Sequence, residues 1–137
     1  MSATAAALKT ANARKRAALK NAVLNTAVGR SPEESLAQVY IALVDRFTEW
    51  HLKILELFQN PAARVPRGVT SMARVLTRAF PELRDRRLFY EQVWRDLYQS
   101  GLVGSDSDLL FGSMTPDGAL EKRTTGFGDD FLAFIRA

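Results

Sequence analysis

Apolar residues recur three or four positions apart along much of this chain, and this spacing constrains the fold more than any other feature of the sequence. The clearest example follows Ser31-Pro32-Glu33-Glu34, which has the N-cap serine, the first-turn proline and the acidic residue of a capping box. We therefore predict an amphipathic helix that begins there and buries one stripe of side chains. The stripe comprises Leu36, Val39, Tyr40, Leu43, Val44 and Phe47.

Caps and helix breakers divide the following residues into further helices. Thr48 is a typical N-cap for a helix that is apolar on nearly all sides and is therefore expected to be central. Thr70 or Ser71 caps a short helix, and Gly101 with Leu102 has the pattern of a Schellman stop. The predicted helices span residues 49–59, about 72–80, about 84–100 and 126–135. A loop is expected over residues 61–69, and Thr124 or Thr125 is expected to start the last helix.

The segment before the last helix predicts a small β-hairpin. Residues 109–114 are short and apolar, and residues 119–124 return after Thr115-Pro116-Asp117-Gly118, which has the composition of a turn. The expected fold class is therefore mainly α with one small β-hairpin.

Six apolar residues in helical phase are predicted to belong to one core: Leu43, Phe47, Ile54, Leu55, Val93 and Leu97. Trp50 and Tyr98 allow two interpretations. Aromatic residues at helical spacing usually lie in a core, but exposed aromatic side chains also serve as anchors in interfaces.

Charge is distributed unevenly along the chain. Residues 1–30 carry six Lys or Arg and no Asp or Glu, and residues 61–90 carry seven arginines against two acids. Either zone is able to meet a polyanion, although basic runs more often mark solvated helix faces. Composition also changes at Gly29-Arg30, which predicts a basic, Ala-rich helical arm over 1–29 and a helical domain over 30–137.

Several classes of chemistry are excluded by residue usage. The chain has no cysteine, so disulfides, Cys-ligated zinc, iron–sulfur clusters and thiol catalysis are impossible. His51 is the only histidine and has no evident partner for general-base work, so a structural or surface role is favoured. No spacing matches a calcium loop among Asp106, Asp108, Asp117, Asp129 and Asp130. We therefore expect no enzyme, no cofactor and no metal.

Segments that target or anchor a chain in a membrane are not evident. No apolar run approaches the ~18 residues that span a bilayer, and the first residues lack the apolar region of a secretory signal. A cytoplasmic location without membrane association is therefore expected.

The order of elements over about residues 48–135 resembles the winged helix-turn-helix superfamily. Three segments carry the resemblance: residues 48–55 look like its opening helix, residues 97–103 like the end of a recognition helix passing into the wing, and residues 123–126 like the wing's return strand. Two other segments, residues 19–25 and 45–48, resemble uncharacterised bacterial proteins, some of them associated with phage defence.

The winged-helix resemblance implies two functions. In its DNA binders the third helix enters the major groove and the wing touches the backbone. However, Glu91 and Asp96 share the third helix with Arg95, and acids facing phosphates are unfavourable. Arg95 is also able to pair with Glu91. The residues that would contact nucleic acid are Arg74, Arg78, Arg86, Arg87, Gln92, Arg95, Gln99, Lys122 and Arg123.

Many winged-helix domains bind proteins through the same surfaces, and the mixed charges of the third helix favour that use. The expected function is therefore a non-catalytic protein-interaction or oligomerisation module, with a protein partner or a second copy as its ligand. Binding of duplex DNA through the third helix and wing is the alternative.

Overall fold

The chain is mainly helical, as predicted, in the computed structural model, which describes Ala13, residues 15–25 and residues 34–136. The helices are α1 (15–25), α2 (Glu34–Arg46), α3 (Glu49–Gln59), α4 (Met72–Ala79), α5 (Arg87–Gln99), α6 (Pro116–Ala119) and α7 (Gly126–Ile135). Short 3-10 helices lie at Pro61–Ala63, Pro81–Leu83 and Ser107–Phe111. The predicted cap at Ser31 and the boundary at Gly29 lie outside the described residues.

Most helix ends agree with the caps in the sequence. Helix α3 begins and ends at the predicted residues, and the Ser71 hydroxyl accepts the Arg74 N–H at 3.2 Å at the start of α4. Helix α5 ends in a Schellman motif, because the Leu102 N–H donates to Leu97 O at 3.0 Å and Gly101 adopts φ 79°.

Helix α5 begins later than predicted. The Arg84 N–H donates to Pro81 O at 3.2 Å, and the Arg86 N–H donates to Leu83 O at 3.0 Å. These successive tight turns use residues 84–86, so the regular helix starts at Arg87.

The predicted β-hairpin is wrong. Residues 109–111 end a 3-10 helix that starts where the Asp106 carboxylate accepts the Ser107 N–H at 2.6 Å. The segment Thr115-Pro116-Asp117-Gly118 starts a helix instead of a turn, since Thr115 Oγ1 accepts the Gly118 N–H at 3.0 Å and Pro116 occupies the first helical position. Among the described residues, β-structure is confined to two isolated bridges, Arg67–Val69 and Val103–Thr124.

The chain divides into two compact units. The first comprises Met1–Leu52 with Asp130–Ala137, and the second comprises Lys53–Asp129, so the division falls inside α3 and α7. All six predicted core residues are buried. Leu43 and Phe47 belong to the first unit, and Ile54, Leu55, Val93 and Leu97 belong to the second.

Aromatic rings form the centre of the first unit. Tyr40 of α2 packs against Phe131 and Phe134 of α7, with ring centroids 5.7 and 5.1 Å apart. Phe47 meets Phe131 edge-on at 6.4 Å. Aromatic pairs in these tilted and edge-on arrangements add to the stabilisation that burial supplies.

Helix α1 docks in the first unit through small and amide side chains. Ala18 and Ala22 are buried, whereas Leu24 is half exposed. The Asn21 side chain donates to Ile135 O at 3.0 Å, and the Asn25 side chain donates to Phe134 O at 2.7 Å. These amides satisfy carbonyls at the end of α7 that have no partner within that helix.

The second unit is built around Trp94 of α5. Its ring lies edge-on to Phe58 at 4.8 Å, and its indole N–H donates to Ser105 O at 2.8 Å. Two backbone bonds flank the antiparallel Val103–Thr124 bridge: the Gly104 N–H donates to Arg123 O, and the Thr125 N–H donates to Leu102 O.

None of the helices in the described part of the chain is long and apolar enough to cross a membrane.

Candidate interaction surface on helix α5

Helix α5 is sharply two-sided. Its inner face buries Tyr90, Val93, Trp94 and Leu97 in the second unit. Residues spaced three or four apart on the opposite side form its outer face. That outer face consists of Leu88, Gln92, Arg95 and Gln99, all of which are exposed.

Apolar side chains stand out on and beside this outer face. Leu88 is 83% exposed, more than any other large hydrophobic residue in the described part of the chain, and Tyr98 is 41% exposed. For Tyr98, the core interpretation is therefore wrong. Trp50, in contrast, is only partly exposed and belongs to the first unit.

An arginine–aromatic stack borders the first turn of α5. The Arg87 guanidinium carbon lies 3.8 Å from the centroid of the Phe111 ring, a geometry that favours a cation–π contact. The same arginine pairs with Glu91 at 3.4 Å, and Phe111 also lies against Tyr90, with centroids 6.1 Å apart. We call Arg87, Leu88, Tyr98 and Phe111, together with the polar residues of the outer face, the α5 surface.

The polar residues of the α5 surface bond to one another. The Gln92 side chain donates to Asp96 Oδ1 at 2.8 Å, and Arg95 donates to Gln92 Oε1 at 3.1 Å. Glu91 pairs with Arg87, so the anticipated Arg95–Glu91 pair is not formed. These exposed contacts contribute little stability and break readily when a partner offers better geometry.

Most of the arginines predicted to bind nucleic acid are exposed. Arg74 and Arg78 lie one turn apart on α4, and Arg86, just before α5, has its guanidinium carbon 5.6 Å from the Phe89 ring centroid. None of these three forms an ion pair with any residue that the structure describes. They are therefore available to an external anion.

Lys122 and Arg123, expected to lie on a wing, are instead engaged within the second unit. Lys122 pairs with Asp129. Arg123 Nη2 donates to Gly118 O at 2.6 Å, and its side chain is only 17% exposed. The structure thus does not place their charges beside α5 as an open basic strip.

Asp129 is the centre of a hydrogen-bonded group at the start of α7. Besides Lys122, Gln59 donates to its carboxylate at 3.1 Å and Thr124 donates at 2.7 Å. Burial alone would raise the pKa of Asp129. The hydrogen bonds, led by the one from Lys122, outweigh burial and hold the pKa below its ordinary value.

His51 has a structural role at the start of α3. Its Nδ1 accepts the Thr48 N–H at 3.1 Å, as the acidic residue of a capping box does, and its ring stacks on Phe47 at 4.7 Å. An atom that accepts a backbone N–H carries no proton, so Nδ1 also accepts from the Thr48 hydroxyl at 2.8 Å. The sequence signal for this cap is the spacing of Thr48 and His51.

The acidic residues are scattered. No group of three or more His, Cys, Asp or Glu in the described ranges is arranged to hold a metal ion. Asp117 is paired with Arg67 at 2.9 Å, and this partner lowers the pKa of Asp117.

Sequence reasoning found the polar residues of the α5 surface but missed Leu88 and Phe111. Leu88 lies outside the apolar arc of its helix, and this position in the helical repeat is the sequence signal that indicates its exposure. Phe111 lies in the segment for which the sequence predicts a hairpin, and that hairpin is not formed. Comparisons of the chain with protein-family models, with curated proteins and with solved structures find no match.

Proposed function

We propose that this chain is a non-catalytic protein-interaction or oligomerisation module that binds its partner through the α5 surface. The observation that carries the proposal is the exposure of Leu88, at 83%, on a helix that also presents Tyr98 and the Arg87–Phe111 stack. Single exposed apolar residues are ordinary on protein surfaces. Aromatic residues and arginine are enriched at interfaces, and here they lie along and beside one helix.

Charge supports a protein partner for the α5 surface. Glu91 and Asp96 lie on the same helix as Arg95, and Lys122 and Arg123 are engaged within the chain. A phosphodiester backbone is best met by uninterrupted positive charge, whereas mixed charges around apolar groups suit the polar rim of a protein interface.

Binding of duplex DNA by a winged-helix-like domain is the second candidate. Two observations favour it. Gln92, Arg95 and Gln99 point outward from α5 and belong to the residue types that read base edges. In addition, the Val103–Thr124 bridge joins two of the segments that resemble a winged helix. The absence of a hairpin between those two segments weighs against a wing.

A matched pair of variants tests the proposed module. The unmodified protein, Leu88→Ala and Val23→Ala are immobilised in parallel and exposed to an extract of the cells that produce the chain, and bound proteins are quantified by mass spectrometry. Val23, 55% exposed on α1, is the control for loss of an exposed apolar side chain. Sedimentation equilibrium of the same three proteins measures self-association.

We expect Leu88→Ala to lose either at least one bound protein or its self-association. Val23→Ala should retain whatever Leu88→Ala loses. Identical bound proteins and identical association states in all three samples would contradict the proposal.

A further inference from the structure

We infer that the segment bound by the α5 surface is acidic and carries a large apolar side chain. This inference rests on the proposed function and adds the chemistry of the partner. The ligand is thus a stretch of another protein in which Asp or Glu surrounds an aliphatic or aromatic anchor.

Unpaired arginines just before α5 and on α4 supply the argument for acidity. Arg84 and Arg86 lie directly before the helix, and Arg74 and Arg78 lie on α4 in the same unit. All four are exposed, and none forms an ion pair with a residue in the described part of the chain. Helix α4 contains no acid, and residues 61–90 carry seven arginines against two acids. Two of the seven, Arg67 and Arg87, pair with acids outside that range, Asp117 and Glu91. Complementary charge favours an acidic partner and repels a basic one.

Arginine is suited to this task. Its planar guanidinium offers paired N–H donors to a carboxylate, and it keeps its charge at any pH at which proteins fold. The stacks of Arg87 on Phe111 and of Arg86 on Phe89 hold two guanidinium groups against aromatic rings. Side chains that are already positioned lose less entropy when a ligand binds.

The exposed apolar groups supply the argument for an anchor. Leu88 lies in the first turn of α5, where the Arg87–Phe111 stack also lies. Burying the exposed leucine side chain is favourable when the partner offers an apolar group in return. Phosphates and sugars offer little such surface, so a protein segment fits this combination of arginines and apolar groups better than nucleic acid does.

Selection of short peptides from a random display library against the immobilised full chain tests the inference. The probes are the selected peptides themselves, resynthesised with a fluorescent label and titrated by anisotropy at low and high salt. We expect the selected sequences to be enriched in Asp or Glu and to share one large apolar position.

Two variants connect the selected peptides to the α5 surface and to the arginines just before it. Leu88→Ala and the double variant Arg84→Ala/Arg86→Ala should each weaken peptide binding at least about tenfold. The double variant should also reduce the salt dependence. The matched controls on α1 are Val23→Ala and Arg16→Ala/Lys20→Ala. They should leave the affinity unchanged, because they alter neither α5 nor the arginines just before it.

The possible results separate the inference from the proposed function. Peptides that depend on Leu88 but are neutral or basic would overturn the inference and leave the interaction module intact. A selection without any peptide that depends on Leu88 would overturn both. A third result would also count against the inference: a short DNA duplex displaces the peptides from the unmodified protein, and Leu88→Ala binds the peptides normally. The arginines would then be a binding site for nucleic acid.

Discussion

Asp129 shows how one carboxylate connects the start of α7 to α3 and to the segment after α6. Because its pKa in the folded chain lies below the ordinary value, Asp129 stabilises the fold above the pKa of an unfolded aspartate, about 4. That contribution is lost as the pH falls through the lower, folded pKa. Asp129→Asn removes the titration and leaves a side chain of nearly the same shape.

We therefore expect Asp129→Asn to lower the free energy of unfolding most at neutral pH. The difference from the unmodified protein should shrink steadily below about pH 4. Urea unfolding at a series of pH values measures this difference, with Asp108→Asn, which replaces an exposed acid in the same unit, as the control. A difference that stays constant down to strongly acidic pH would mean that Asp129 contributes through hydrogen bonds that do not depend on its charge.

At the level of elements, the local helix caps were predictable from the sequence. The segment over residues 109–124, which lacks strong periodicity, was not. Helix α3, the Ser71 cap and the Schellman stop follow from the residue types at helix ends, which act within one turn. The sequence Thr-Pro-Asp-Gly is equally suited to a turn and to a helix N-terminus, and here it starts α6. The partial burial of Arg123 and the exposure of Leu88 depend on contacts between elements, so local pattern alone did not predict either of them.

Gly128 permits the close approach of α7 to the turn that follows α5. A β-carbon at this position would lie 2.3 Å from Leu102 O, a backbone atom whose carbonyl already accepts the Thr125 N–H. Gly126, in the same helix, would place a β-carbon in open space. The two glycines therefore form a matched pair.

We expect Gly128→Ala to destabilise the chain by about 1–3 kcal/mol through overpacking. Gly126→Ala should be neutral or slightly stabilising, because alanine favours the helix. Thermal unfolding followed by circular dichroism compares the two. Equal melting temperatures would contradict the close contact of α7 with residue 102.

At the level of the whole molecule, the charge pattern allows nucleic acid to be tested against the proposed protein partner. Both the arginines of α4 and α5 and the basic residues of α1 attract a phosphate backbone without reading its sequence. Readout of bases would depend instead on Gln92 and Gln99, which carry no charge and point outward from α5. Loss of an arginine and loss of a glutamine therefore have different expected effects.

We expect duplex DNA to bind weakly and without sequence preference, as measured by fluorescence anisotropy at several salt concentrations. Two double variants should flatten the plot of log affinity against log salt concentration: Arg74→Ala/Arg78→Ala and Arg16→Ala/Lys20→Ala. The slope should change by about 0.9 for every phosphate that the variant no longer neutralises. Gln92→Ala/Gln99→Ala should leave affinity unchanged for every duplex tested. A duplex whose affinity falls about tenfold or more in the glutamine variant, while unrelated duplexes are unaffected, would make base readout by α5 the function of this chain.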